Sequence, residues 1–448
     1  MKPFILVQGP VATRSGYGNH TRDLVLSLIN SDKYEIQIIS LPWGSTPGNA
    51  LENDNEDHQS IKKRIVHGSI NRQPDVFIQV SVPNEFGIGP DGKPMKVGKY
   101  NIGVTAGIET TNVSHEFLLG CNRMDLVLTT SEHSKKGFID TVYDQVDEKT
   151  KQKTGVLKLT TPMEVLFEGA DLDVYFKTNK IHDTVIHELS SIKNKFCYLF
   201  VGHWLKGDIG QDRKDIGMMI KTFCETFKNK AARNRPALIL KSSHATFSII
   251  DRDKITKKIQ EIITPYGHRA PEIYLLHGDL SDAEMNSLYN HPKIKAMISF
   301  TKGEGFGRPL LEFSLTGKPV IASNWSGHID FLKNSVLLPG QLTEIHRSAA
   351  DKFLIQGSRW FTVNYQYASK VLKDVTENYK NYLDNSRIQA RFSKENFSLD
   401  KMGKLFVDFI DKGLAGVPTH TQIKLPKLKK VENQPPTLKL PKLKKVEA

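Results

Sequence analysis

Short apolar runs recur along the chain, and the stretches between them are long enough for a crossover helix. Residues 4–8, 36–40, 76–80, 101–105, 126–129 and 163–167 read as strands in the first half. Runs that are apolar at nearly every position predict strands covered on both faces, as in a parallel sheet. The pattern restarts at 196–202 and continues through 237–240, 273–276, 297–300 and 319–322. Leu24, Val25, Leu28 and Ile29, and later Ile216, Ile220, Phe223 and Phe227, fall at helical spacing and predict helices with one inward stripe. Helical patterning resumes from Trp360 and again over 400–410. The expectation is an α/β chain of two Rossmann-like, doubly wound domains facing a central cleft, where ligands sit at the carboxyl ends of the strands. The expected division is 1–177, 178–395 with a polar connection over 177–195, a helix in 396–415, and a tail over 416–448.

A length of 448 residues suits two such domains. No apolar run is long enough to cross a bilayer, and the run after Lys2 is too short for a secretory signal. Cys121, Cys197 and Cys224 form neither a disulfide framework nor a metal-ligand spacing, so a reducing, cytoplasmic setting is expected, with no metal and no cofactor. The net charge is +13, with 62 basic against 49 acidic residues. The segment from 424 to the end holds eight lysines and two glutamates and contributes +6 of it. Residues 424–432 recur at 439–447, and the prolines and charge of this repeat predict a disordered basic tail. Its Lys424, Lys427, Lys429, Lys430, Lys439, Lys442, Lys444 and Lys445 are candidate contacts to an acceptor or polyanion.

Two loops carry the candidate chemistry. After the strand at 297–300 comes Gly303-Glu304-Gly305-Phe306-Gly307-Arg308-Pro309, with Leu310, Leu311, Glu312 and Leu315 following. Pro309 suits the first turn of a helix, and the glycines let backbone approach a ligand at that helix start. Glu312 leans back toward the helix start, so both carboxylates are expected to face one small volume suited to sugar and ribose hydroxyls. The plainer readings are an ordinary strand-to-helix turn and an acid favoured by the helix dipole. After the first strand comes a second glycine loop ending in Gly16 and Gly18, positioned to hold phosphate or acceptor. It is not the dinucleotide fingerprint, because Thr21 stands where a third glycine belongs.

The block from Glu304 to Glu312 resembles the E-x7-E signature of the large retaining glycosyltransferase family 4. Leu199-Phe-Val-Gly202 with Arg213 and Lys214, the run from Val165 to Asp171, and the segments at Gly317 and Gly327 are similar to further segments of that family. The resemblance spans roughly residues 4 to 410. It implies the two-domain architecture called GT-B, with the last helix packing back on the first domain. It also implies a nucleotide-diphosphate sugar, most simply a UDP-sugar, as donor, and retention of configuration. By this likeness Glu304 would contact the transferred sugar and Glu312 the ribose hydroxyls. Phe306 and Gly307 would offer amides, alongside Gly202 and Gly305 in the donor site. Arg213 and Lys214 would neutralise the diphosphate in place of a metal ion. Relatives often carry a histidine after the fourth strand of the first domain. Here Thr105-Ala106-Gly107-Ile108-Glu109 has none, which leaves Glu109 the nearest candidate to face the sugar and His115 a distant second. His133, His203 and His328 read as structural.

The acceptor is expected to be a hydroxymethylated pyrimidine in DNA, on the strength of the lysine tail. A surface polysaccharide or lipid-linked glycan at a membrane is the alternative. A sugar-nucleotide epimerase or a non-catalytic sugar-nucleotide binder are the remaining readings of the same fold. No zinc finger or RNA-recognition motif is present to read bases.

Overall fold

A computed structural model of the protein describes residues 2–244 and 246–416. Its strands are β1 (Phe4–Gly9), β2 (Glu35–Ser40), β3 (Val76–Val80), β4 (Tyr100–Thr105), β5 (Leu126–Thr129), β6 (Tyr143–Val146), β7 (Lys153–Leu157), β8 (Met163–Val165), β9 (Cys197–Val201), β10 (Ala237–Lys241), β11 (Ile273–Leu276), β12 (Ile294–Ser299), β13 (Val320–Ser323), β14 (Val336–Leu338), β15 (Gly340–Glu344) and β16 (Arg359–Val363). Its helices are α1 (Gly16–Ser31), α2 (Glu56–Lys62), α3 (His115–Cys121), α4 (Glu132–Asp140), α5 (Asp183–Glu188), α6 (Ile216–Phe227), α7 (Ile249–Ile263), α8 (Asp282–Asn290), α9 (Arg308–Ser314), α10 (Tyr365–Glu377), α11 (Leu383–Asn396) and α12 (Leu399–Ala415).

The first sheet runs β2-β1-β3-β4-β5-β8 and the second β11-β10-β9-β12-β13-β14, with every pair parallel. The two orders are those of doubly wound sheets, and each reverses direction once, beside β1 and beside β9. Central strands such as β3 are buried at every position, which is why they are mostly apolar, and the one polar residue of β3, Gln79, has its amide bonded to the backbone of Glu85 and Gly87. Each domain has its own core. Leu24, Val25 and Leu28 of α1 close over the first sheet, and Ile216, Ile220, Phe223 and Phe227 of α6 close over the second. Met402, Phe406 and Ile410 of α12 are buried in the first core, so the last helix returns there.

The chain passes between domains twice at one place. Ala170 donates to Phe397 O at 2.9 Å, and Leu399 donates back to Ala170 O at 2.8 Å. A Cβ on Gly169 would meet Leu399 Cα at 2.5 Å, so the crossings touch through bare backbone. Ala170 and Tyr175 already belong to the second core, as do Val185, Leu189 and Ile192 around α5. The polar segment 177–195 is therefore more than a connection, because every third or fourth residue there anchors it.

The helical start expected at Trp360 is a strand. Trp360 lies opposite Thr343 in the antiparallel hairpin β15–β16, with aromatic and β-branched neighbours that suit pairing. The helix begins at Tyr365, where the Asn364 side chain accepts from Tyr367 N. The hairpin's loop reaches the first domain. Thr111 donates to Arg359 O at 2.8 Å, Asn112 to Ser358 Oγ at 3.2 Å, and Phe353 packs on Phe117 at 5.2 Å. Among the described residues no helix is long and apolar enough to cross a membrane. The lysine repeat lies outside the described residues.

Candidate active site

Both sheets present their carboxyl ends to the domain junction, and the loops at the two reversal points meet there. The loop after β12 is held from several sides before it reaches α9. Lys302, fully buried, donates its amide to Arg213 O at 2.7 Å and its Nζ to Thr362 Oγ1 at 2.9 Å, and it pairs with Asp215 at 3.4 Å. Glu304 N donates to Ser326 Oγ at 2.9 Å, and Gly327 N to Glu304 O at 3.0 Å. Phe306 is buried against Phe331 at 5.0 Å and pins the loop to the second core. His328, fully buried with Nε2 2.7 Å from Ser323 O, supports the turn behind it.

The glycines of this loop answer to the other domain. A Cβ on Gly303 would lie 2.0 Å from Glu109 O, and one on Gly305 would lie 1.9 Å from Ala106 O. The sequence reading gave Gly305 to a ligand, whereas the backbone that approaches it here is that of 106–109. Gly307 has φ +97° at the start of α9, a conformation that side chains resist. At seven residues α9 is short, so charge at this junction comes chiefly from side chains.

Those side chains form one chain of ion pairs. Glu109 Oε1 lies 3.5 Å from Arg213 Nη1, which lies 3.3 Å from Glu304 Oε2, and Lys214 Nζ closes on Glu304 Oε1 at 2.5 Å. Burial works against charge on Glu304, but Lys214 and Arg213 beside it win and hold its carboxyl down to about 2. Burial also pulls the Lys214 ammonium below its ordinary value, with Glu304 opposing. For Arg213 burial is outweighed by Glu109 and Glu304, and the guanidinium is held up. The carboxylate thus sits where these two cations would meet any arriving anion.

Two groups stand beside this chain: Gly202, a donor-site candidate, and His203, which the sequence suggested was structural. Gly202 ends β9 as expected, and a Cβ there would lie 3.5 Å from Lys214 Cε. Next to it His203 bonds Ser243 Oγ through Nδ1 at 2.8 Å, and burial followed by Lys214 and Arg213 pushes it down to about 4. A neutral imidazole therefore joins the cations. The readable signal was its position directly after the strand-ending glycine.

Glu312 and Glu304 are held by different partners. Arg308 Nε reaches Glu312 Oε1 at 2.9 Å and Tyr289 OH donates to its Oε2 at 3.1 Å, while Arg308 Nη1 pairs with Asp23 of α1. The two carboxylates stand in separate networks because two arginines, Arg213 and Arg308, each draw one of them. Burial pushes Glu312 and neighbouring Glu168 up to about 7 against the pull of Arg308. His20, also beside Arg308, has both ring nitrogens buried without a protein partner.

Gly16 and Gly18 open α1, capped by Ser15, whose Oγ accepts from Gly18 N at 3.0 Å. A Cβ on Gly18 would meet Thr13 O at 2.2 Å, whereas Gly16 faces open space. Tyr17 between them bonds Thr105 Oγ1 and receives the Ala106 amide, both at 3.1 Å, which ties α1 to the strip of backbone that meets Gly305. Across the junction Arg14 pairs with Asp279 at 2.8 Å. The candidate lysines of the tail lie outside the described residues. Among the described residues no group of three or more His, Cys, Asp and Glu is arranged to hold a metal.

No family model and no curated protein matches this sequence. Solved structures do. The chain is similar to HepE of Anabaena in complex with UDP and glucose, at TM-score 0.56 and 13% identity, covering 92% of this chain and 100% of that one. It is similar to sucrose-phosphate synthase of Thermosynechococcus elongatus at TM-score 0.60 and 11% identity, over 93% and 100%. A glycosyltransferase of Rickettsia africae follows at 0.58 and 13%, over 93% and 99%. Together with the two sheet orders, these likenesses show the GT-B fold.

Proposed function

We propose that the protein is a glycosyltransferase that moves a sugar from a nucleotide-diphosphate donor, most simply a UDP-sugar, to an acceptor hydroxyl. The carrying observation is the ion-pair chain Glu109–Arg213–Glu304–Lys214 at the junction of the two domains. Arg213 and Lys214 bind the diphosphate and stabilise the charge that grows on it as the anomeric C–O bond breaks. No metal is needed for that charge. Glu304, displaced from the two cations, turns to hydroxyls of the sugar. Glu312 turns from Tyr289 to the ribose, and the loop 305–307 lines the phosphates. The acceptor oxygen forms the new bond on the face the diphosphate leaves, its proton passes to a departing phosphate oxygen, and configuration is retained. Glu109 orients Arg213 and the incoming hydroxyl. HepE, with the same fold, is described in complex with UDP and glucose, which favours a uridine donor.

For the acceptor, eight tail lysines favour a polyanion, and a hydroxymethylated pyrimidine in DNA combines a phosphate backbone with a free hydroxyl. A surface polysaccharide or lipid-linked glycan is the competing acceptor. The test is to incubate the protein with UDP-sugars and either hydroxymethylated DNA or glycan acceptors, following UDP release and product mass. Mass gain on DNA nucleosides supports the full reading. Gain on glycan alone moves the acceptor. Absence of both UDP binding and UDP release with every nucleotide sugar tried would refute the enzyme itself.

A further inference from the structure

A groove of about 670 Å³ runs between α1 and α12, apart from the ion-pair chain of the proposed active site. Leu26, Leu172, Leu399 and Val407 give it an apolar floor, half-buried to buried. Its rim is acidic and exposed at Asp57, Asp173, Asp400 and Asp408. Seven aspartates line the groove, in a chain whose net charge is +13. Asp23, Asp400, Asp408 and Asp411 pair with Arg308, Lys404, Lys412 and Lys33, and Asp57, Asp171 and Asp173 face it without an ion pair among the described residues. An acidic rim around an apolar floor fits an extended segment that alternates cationic and aliphatic side chains.

We propose that this groove docks the chain's own Lys-Leu-Pro repeat, residues 424–432 and its copy 439–447. The repeat interleaves lysines with leucine, proline and valine, matching rim and floor in turn. Its prolines exclude the helix and suit an extended segment. Reach is sufficient. The chain leaves α12 at Gly416, and α12 lines the groove through Asp400, Lys404 and Asp408. Lys424 lies eight positions beyond Gly416, steps that span about 26 Å when extended. The helix from 416 back to 400 measures about 24 Å. Tethering gives the repeat a millimolar effective concentration, so pairs that are individually weak add up to occupancy. Rim charges are exposed, so docking fades as salt rises. A docked repeat has its lysines withheld from any other polyanion, and the chain thereby sets how much of its basic tail is free.

The inference does not depend on the reaction proposed above, and its test uses the full-length chain without nucleotide sugar or acceptor. Carbodiimide coupling joins a lysine amine to a carboxylate with loss of water, and peptide mass mapping locates the links. Tail lysines should couple preferentially to groove aspartates, including Asp57. In the variant D173N/D400N/D408N the links to Asp57 should fall, and tryptic cleavage within 424–448 should accelerate roughly tenfold, the effect of losing several exposed pairs. Salt at 0.5 M should produce the same acceleration in the unaltered chain. Links spread evenly over surface carboxylates, or tryptic cleavage unchanged by both the variant and salt, would overturn the proposal. So would links found only between ¹⁵N-labelled and unlabelled chains in a mixture, which would place the repeat on a second copy.

Discussion

Arg308 of α9 forms an ion pair with Asp23 of α1 across the domain junction, with side chains 14% and 12% exposed. The same guanidinium holds Glu312, so one residue of the signature block serves both an interdomain contact and a candidate ribose ligand. Removing one partner leaves the other charged and buried, which costs about 3–5 kcal/mol. Asp23→Ala should lower the thermal midpoint clearly. Combining it with Arg308→Met should recover part of the loss, because the orphaned cation is gone. A double variant no more stable than the single one would deny that the pair acts as a unit.

Glu304 and Glu312 should separate kinetically. Glu304→Gln frees Arg213 and Lys214 for a diphosphate, so UDP affinity should hold or rise while turnover falls on the order of a hundredfold. Glu312→Gln should chiefly weaken UDP binding, since a ribose contact is made in ground and transition states alike. Calorimetry with UDP beside initial-rate kinetics reads both, and equal losses of UDP affinity would contradict the division of roles.

Arg213→Ala or Lys214→Ala should each cost about 2–4 kcal/mol of transition-state stabilisation, the range for removing one donor to developing negative charge. Turnover at the unaltered level in both variants would reduce the pair to scaffold.

Chelation provides a direct check on the cation clamp. If Arg213 and Lys214 supply the charge that other transferases take from a metal, UDP release should persist in excess EDTA. Complete loss on chelation, restored by manganese, would reverse the assignment.

Stability should depend on pH through Glu168 and Glu312, both pushed up to about 7 from 4.5 by burial. Between these values the folded state keeps protons that the unfolded chain has released. Stability is therefore fully supported near pH 4.5 and falls as pH rises toward 7, by about 1–3 kcal/mol per group. Below pH 4.5 the depressed Glu304 acts in the opposite sense, losing stability as it protonates. Glu168→Gln should flatten the decline between pH 5 and 7 in a melting series. A profile identical to that of the unaltered protein would remove Glu168 from the account.

The two sheets were legible because buried parallel strands are apolar at most positions, and nearly all of the predicted strands lie within three residues of those observed. Antiparallel hairpins left weaker traces. Val146 and Val156 of β6 and β7 face solvent, so their strands carry no apolar run, and Trp360 mimics a helix start only because α10 follows five residues later. At the candidate site, the likeness to family 4 pointed to Arg213, Lys214 and Glu304, and the missing histidine to Glu109, and the fold brings these four together. The partition of Glu304 from Glu312 was hidden, because it depends on Asp23 and Tyr289, far away in sequence. His203 reads as structural from sequence, because an isolated histidine carries no pattern that points to a ligand.

The contact between Gly305 and Ala106 gives the signature loop a second reading. Two peptide chains nearly 200 residues apart are separated by less than the width of a methyl group, so the smallest possible enlargement at position 305 would act as a wedge. The spacing of glycines in the block therefore describes the shape of a neighbouring loop as much as that of a ligand, and that same neighbour carries Glu109 to within 3.5 Å of Arg213.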